Sequence, residues 1–267
     1  MIDLTKISGL PVELADDLRI KFYPPMQDRE PTYIRMFSQV QGVLKDPDFK
    51  SPTQEMYLGY RQLYLPEHAD LVRSDHLEYD LTIIPPMMLG EEYNKTVGHY
   101  HAAIPGTKIA HPEMYEILNG HVLILWQKMD EDFKNLISVY AVEAKTGDKI
   151  IYPPNYGHIL VNIGTDILVT ANWLSTDYKP LYEPVADFHG MAYYVIKGNG
   201  KLYDFVKNPH YSDHPDLKLI NEQQQVYTNF GFVPSEPMYT SGMKNPKLLE
   251  FLNHPQKYAV QLSTLTS

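Results

Sequence analysis

His99 and His101 stand one residue apart in the stretch TVGHYHAAIPGTKIAHPEMYEILNG, which runs from Thr96 to Gly120. In an extended strand successive side chains alternate faces, so the two imidazoles project together and Tyr100 points away. Two imidazoles aimed into one space are half of a metal site. The same period puts Glu113, Tyr115 and Ile117 on one face of the next apolar segment, and Met114, Glu116 and Leu118 on the other. A bulge that shifted the register by one would exchange Glu113 for Glu116 and turn Tyr115 outward. A third imidazole is offered by His158, in GDKIIYPPNYGHILVN. The chain has no cysteine. That excludes a disulfide framework, a thiolate metal site and a cysteine nucleophile, so any metal must be held by histidine and carboxylate.

The elements that must position these groups are short strands. LRIKFYP (18–24) alternates apolar and polar residues and ends at Pro24-Pro25. MYLGYRQLYL (56–65) and YDLTIIP (79–85) follow. Glu113–Leu118, His121–Met129 and Ile137–Val142 are broken by Asn119-Gly120 and by a polar stretch, and Lys149–Pro154, His158–Gly164 and Ile167–Leu174 continue the pattern. Turns every 8 to 12 residues or so predict an all-β sandwich or barrel rather than βαβ units. The spacing over Glu30–Val43 predicts a helical flank. A hairpin is expected over Met191–Val206, turning at Gly198-Asn199-Gly200, and a helix over Asn245–Leu262, with Asn245 as N-cap and Pro246 first. The expected division is an N-terminal flank (1–55), a barrel (56–206) and a C-terminal extension (207–267).

Composition narrows the partners. With 267 residues and 43% hydrophobic content the chain can bury a large core, and its formal charge of −10 without a long basic run argues against nucleic acid or an anionic membrane. An anionic substrate would have to be held by a local site. The N-terminus lacks a basic start and an apolar h-region, and no apolar run approaches the roughly 20 residues of a membrane helix, so a cytoplasmic protein is expected.

HxH, a later Glu with six residues to Gly120, and Gly147…Pro153…His158…Asn162 together resemble the two motifs of the cupins, jelly-roll β-barrels that hold one metal ion. Two departures stand out. Eleven residues separate His101 from Glu113 where three or four are usual, which predicts a bulging loop, and Asn155 occupies a position where that pattern has glycine. Within the cupins, TVGHYHA, EMYEILNG and YPPNYGHILVNIG resemble the cupin-type glucose-6-phosphate isomerases, from about Met56 to Val206.

The resemblance implies His99, His101, Glu113 and His158 as ligands of one divalent ion, Fe²⁺ first, with Mn²⁺, Ni²⁺ or Zn²⁺ as alternatives. It implies Thr82, Thr96, Gly98 and Tyr115 as substrate-lining positions, with Tyr57, Trp173 and Tyr182 added; at Trp173 the family usually has tyrosine. The substrate would be a small sugar phosphate and the assembly a homodimer. Glu113, with Tyr115 as partner, is the candidate base that carries a proton between C2 and C1 through an enediolate; a hydride shift is the competing mechanism. His111, His121 and His189 are read as surface or packing histidines. The same ligand set would serve a non-catalytic sugar- or metal-binding cupin, or an Fe-dependent cupin dioxygenase.

Overall fold

The computed structural model describes residues 1–220 and 227–266. Two sheets face each other. The larger has six strands in the order Lys149–Tyr152, Glu113–Asn119, Leu168–Ser175, Leu77–Ile84, Glu55–Tyr60 and Tyr33–Met36, all antiparallel. The smaller runs Gly157–Asn162, His121–Met129, Leu136–Lys145 and Leu217–Ile220; only its last pair is parallel. Sheet closing against sheet in this manner is the expected cupin jelly roll.

Period-two alternation sorts the side chains of the large sheet between two cores. Tyr115, Ile117, Ile150 and Tyr152 face the barrel interior, with Ile124 and Trp126 of the opposing sheet in the same cluster. Met114, Leu118, Ile151 and Trp173 face outward, into a second cluster shared with Leu10, Leu14, Tyr239 and Phe251. The chain ends therefore cover the back of the large sheet. That contact removes from water the apolar half of strands that would otherwise be wet on one side.

Three expectations need correction. Only the second half of the Glu30–Val43 stretch is helical: Tyr33–Met36 forms an edge strand against Glu55–Tyr60, while Phe37–Val40 makes one α-turn that continues as a 3-10 turn over Gln41–Val43. Cross-strand pairing to a formed sheet outweighs a weak helical period, and it carries the barrel sheet upstream of residue 56. The Asn245–Leu262 stretch is a chain of short turns, Pro246–Leu249, Glu250–Asn253, Pro255–Tyr258 and Ala259–Ser263, because Pro255 lacks the N–H that a continuous helix needs. Asn245 makes no side-chain cap, although Pro246 does sit in the first turn. The extension also contains a helix at Met238–Lys244 and the Leu217–Ile220 strand, neither of which shows a strong period in the sequence. The expected hairpin is present as Tyr193–Lys197 and Tyr203–Lys207. No helix among the described residues is long and apolar enough to cross a membrane.

Candidate metal centre and active site

The register of the large sheet decides which inward side chains meet. One row across it reads Tyr33, Gly59, Thr82, Thr170, Ile117, and the next reads Asp80, Asn172, Tyr115. Gly59 is required here, since a Cβ at that position would lie 2.4 Å from the Tyr33 ring. Its absence lets Tyr33 lie across the strand and bring its hydroxyl within 3.3 Å of the Thr82 hydroxyl.

From the facing side, the 96–99 segment runs along the Gly157–Asn162 strand. His99 and His158 exchange backbone hydrogen bonds, Thr96 N–H donates to Leu160 O, and the Leu160 N–H donates back to the Thr96 hydroxyl. The strand expected at GHYH shrinks to Tyr100–His101, paired with Pro180–Leu181. His99 and His101 still point into one space, their Nε2 atoms 3.2 Å apart.

His99, His101, Glu113 and His158 each offer a donor atom, and these atoms lie within 4.8 Å of one another. Glu113 Oε2 is 3.6 Å from His101 Nε2 and 3.4 Å from His158 Nε2. The same oxygen is buried and has no hydrogen-bond partner, which is the condition a bound cation would relieve. The Nδ1–H of His101 donates to the carbonyl of His111 at 2.8 Å, which leaves its Nε2 lone pair free to face the other donors. Burial pushes His99 and His158 well below the ordinary imidazole value and His101 down to about 4, so all three are neutral, as ligands must be. Burial raises Glu113 to about 8, while Tyr115, Arg61 and Asn172 act in the opposite direction. The set therefore fits a single divalent cation bound by nitrogen and oxygen.

Glu116 takes no part in the centre. It sits on the opposite face of its strand, 2.7 Å from Lys149 Nζ, and accepts the Met238 N–H. The regular pairing of residues 113–116 with 149–152 rules out the one-residue slip that would exchange it with Glu113.

Of the substrate-lining expectations, Thr82, Thr96, Gly98, Tyr115 and Tyr182 border the same cavity as the metal centre, and so does Tyr57. The Tyr57 hydroxyl accepts the Val97 N–H, and the Tyr115 hydroxyl lies 2.9 Å from His158 Nε2. Trp173 is a correction. It pairs with Met114 on the outward parity of its strand, stacks on Tyr239 and donates its indole N–H to Met238 O; Asn172 and Leu174 face the cavity instead.

The cavity also holds residues that the motifs do not point to: Tyr33, Arg35, Arg61, Asp80 and Tyr178. For Arg61 a signal existed, because Tyr57, Gly59 and Arg61 share one parity, but parity alone does not say which face is inside. Arg35 lies in the stretch that the sequence pattern marks as helix.

The two departures from the cupin pattern prove to be one structure. The loop after His101 is a small hairpin closed by the Ala103–Ala110 bridge. Asn155, at φ 67°, accepts the Ala110 N–H and donates to Lys108 O, so the residue in the glycine position clips the long loop to the barrel. The loop ends at His111, which is buried and donates from Nδ1 to Leu252 O. His111 thus joins the C-terminal extension to the segment that orients His101. His121 pairs with Glu143, and His189 packs against His210.

A jelly roll with three histidines and a glutamate converging inside it defines a cupin with a candidate metal centre. Residues 34–212 match the family Glucose-6-phosphate isomerase (GPI), and the chain belongs to that family. Relatives named as glucose-6-phosphate isomerase include one from Pyrococcus furiosus, 28% identical over 66% of this chain and 86% of that one. Another, from Thermococcus litoralis, is 24% identical over 63% of this chain and 82% of that one. Among solved structures, a recombinant oxalate oxidase in complex with glycolate matches 51% of this chain and 58% of its own, with 12% identity and a TM-score of 0.35.

Proposed function

We propose that the protein is a metal-dependent aldose–ketose isomerase that interconverts glucose 6-phosphate and fructose 6-phosphate. The observation that carries this reading is the convergence of His99, His101, Glu113 and His158 on the cavity that Thr82, Thr96 and Gly98 border, in a chain of this family. Fe²⁺ is the first expectation for the ion, with Mn²⁺, Ni²⁺ or Zn²⁺ able to occupy the same donors. A divalent ion held by these residues would act as a Lewis acid toward the carbonyl and adjacent hydroxyl of an open-chain sugar.

The protein's own groups supply the proton chemistry. Glu113 is the base that moves the proton between C2 and C1; a carboxylate shared with a divalent cation is a weak base, so this role requires that its hold on the cation be loose. Tyr115, directed at the same point, orients it and hydrogen-bonds the sugar oxygens. The Thr82 and Thr96 hydroxyls receive the phosphate end. Barrel walls such as Tyr33, Tyr57 and Leu160 keep bulk water from the reacting carbons.

The test is to strip the protein with a chelator, add Fe²⁺, Mn²⁺, Ni²⁺ or Zn²⁺ singly, and follow fructose 6-phosphate through a coupled glucose-6-phosphate dehydrogenase. Turnover with at least one ion is expected. No turnover with any of them would refute the proposal.

A further inference from the structure

We propose that Arg35 is the cationic anchor of the substrate's phosphate. The inference deepens the isomerase reading and rests on it for the identity of the sugar.

Two guanidinium groups border the cavity, and their circumstances differ. Arg61 is already engaged: it lies 3.5 Å from Glu78 Oε1 and 4.0 Å from Asp80 Oδ2, and donates to the Tyr178 hydroxyl at 2.9 Å. With two carboxyl groups beside it, that end of the cavity has no positive charge to spare. Arg35 makes no ion pair among the described residues. One of its terminal nitrogens donates to the Tyr182 hydroxyl at 3.0 Å, while its Nε is buried without a partner. A permanently charged group with a buried, unsatisfied donor is costly, and the cost is relieved when an acceptor anion arrives.

The surroundings also place this guanidinium. It lies 5.2 Å from the centre of the Tyr182 ring and 6.0 Å from that of Tyr33, within cation–π reach of both. Arg35 is paired across the strands with Tyr57, whose hydroxyl accepts the Val97 N–H. The cation therefore stands next to the segment that carries Thr96 and Gly98. Its planar fork matches phosphate oxygens in a way that a lysine ammonium does not. The electrostatics also orient the substrate. A dianion is attracted by Arg35, whereas the charge of Arg61 is taken up by the carboxyl pair of Glu78 and Asp80, so the phosphate points to the Tyr57–Tyr182 side and the hydroxylated carbons to the Asp80 side.

The test uses metal-loaded protein, with inorganic phosphate and fructose 6-phosphate as probes. Losing a hydrogen bond to a charged group costs about 1.5–3 kcal/mol, or roughly 10- to 150-fold. Arg35→Met should therefore raise the Kd for inorganic phosphate and the KM for fructose 6-phosphate by that factor, with kcat changed far less. Unaltered phosphate binding in a folded variant would overturn the proposal. Should the variant fail to fold, wild-type protein decides the matter: saturating phosphate should protect Arg35 from phenylglyoxal, read by peptide mass spectrometry, and equal modification with and without phosphate refutes the anchor. If the wild type binds phosphate through Arg35 but turns over no sugar phosphate with any metal, the isomerase reading falls and the anchor stands.

Discussion

Gly98 occupies the point where backbone conformation and metal-ligand position are most tightly joined. Its φ is +84°, and a Cβ there would sit 2.3 Å from Ile159 Cγ2 and 3.3 Å from the carbonyl oxygen of His158. In Gly98→Ala the left-handed backbone costs about 1–2 kcal/mol. The Ile159 methyl can rotate away, but the carbonyl belongs to the ladder that His158 and His99 share, so relief requires moving ligand-bearing backbone. Overpacking of this kind adds about 1–3 kcal/mol. The sum, about 2–5 kcal/mol, lowers the melting temperature by on the order of 10 °C for a chain of this size. Because the strain is relieved by separating His99 from His158, metal retention through gel filtration should fall together with stability. The assay is a pair of thermal melts, with and without added Mn²⁺, accompanied by metal analysis of the purified protein. A variant that melts within 2 °C or so of wild type and keeps its metal would refute the claim that the 98–99 and 158–159 segments are packed without slack.

Removing a ligand outright has a simpler signature: His158→Ala should fold, lose metal on dialysis and lose turnover, and a variant that retained stoichiometric metal would disprove the assignment. The pH dependence of the chelated protein follows from the buried groups. The three imidazoles, all held below the ordinary value of 6.5, contribute stability above that pH, and it is lost as the pH falls toward 4. Glu113, raised from 4.5 to about 8, contributes stability that is present below 4.5 and lost as the pH rises through 8. The buried carboxyls of Asp80 and Glu116 are raised as well and act in the same sense as Glu113. The imidazoles and carboxyls oppose each other below pH 6.5, and above it only the carboxyl loss remains, so the melting temperature should fall from pH 6.5 to pH 9; a monotonic rise to pH 9 would contradict this. Asn155→Ala removes both bonds to the long loop and places alanine at a left-handed φ, a loss of about 2–4 kcal/mol. Hydrogen exchange should then quicken at Ala110 and its neighbours, and unchanged exchange there would show that Asn155 does not hold the loop.

Much of the site was legible because short-range rules governed it. Period-two alternation put Glu113 and Tyr115 on one face and Glu116 on the other, the family resemblance pointed to the first as the inner face, and the strand pairing bears that out. The same rule, applied to Ile167–Leu174, puts Trp173 opposite Asn172 and Leu174, and following motif position instead of parity sent it to the wrong face. Arg35 was illegible for another reason. Its segment has a weak helical period, and only the formed edge of Glu55–Tyr60 makes it a strand that turns the arginine inward.

What the sequence determined by itself, then, is whatever depends on residue type and on spacing within one strand: the all-β class, the restriction of any metal donors to histidine and carboxylate, the common face of His99 and His101, and the insertion between His101 and Glu113. The tertiary structure decided what depends on pairing between distant segments. Examples are the contact of Asn155 with the inserted loop, the link from Leu252 through His111 to His101, and the contrast between a neutralised Arg61 and an unpaired Arg35. The physical reason is that alternation is fixed by local backbone geometry, whereas a side chain's partners are set by register and packing across the barrel, which no single strand encodes.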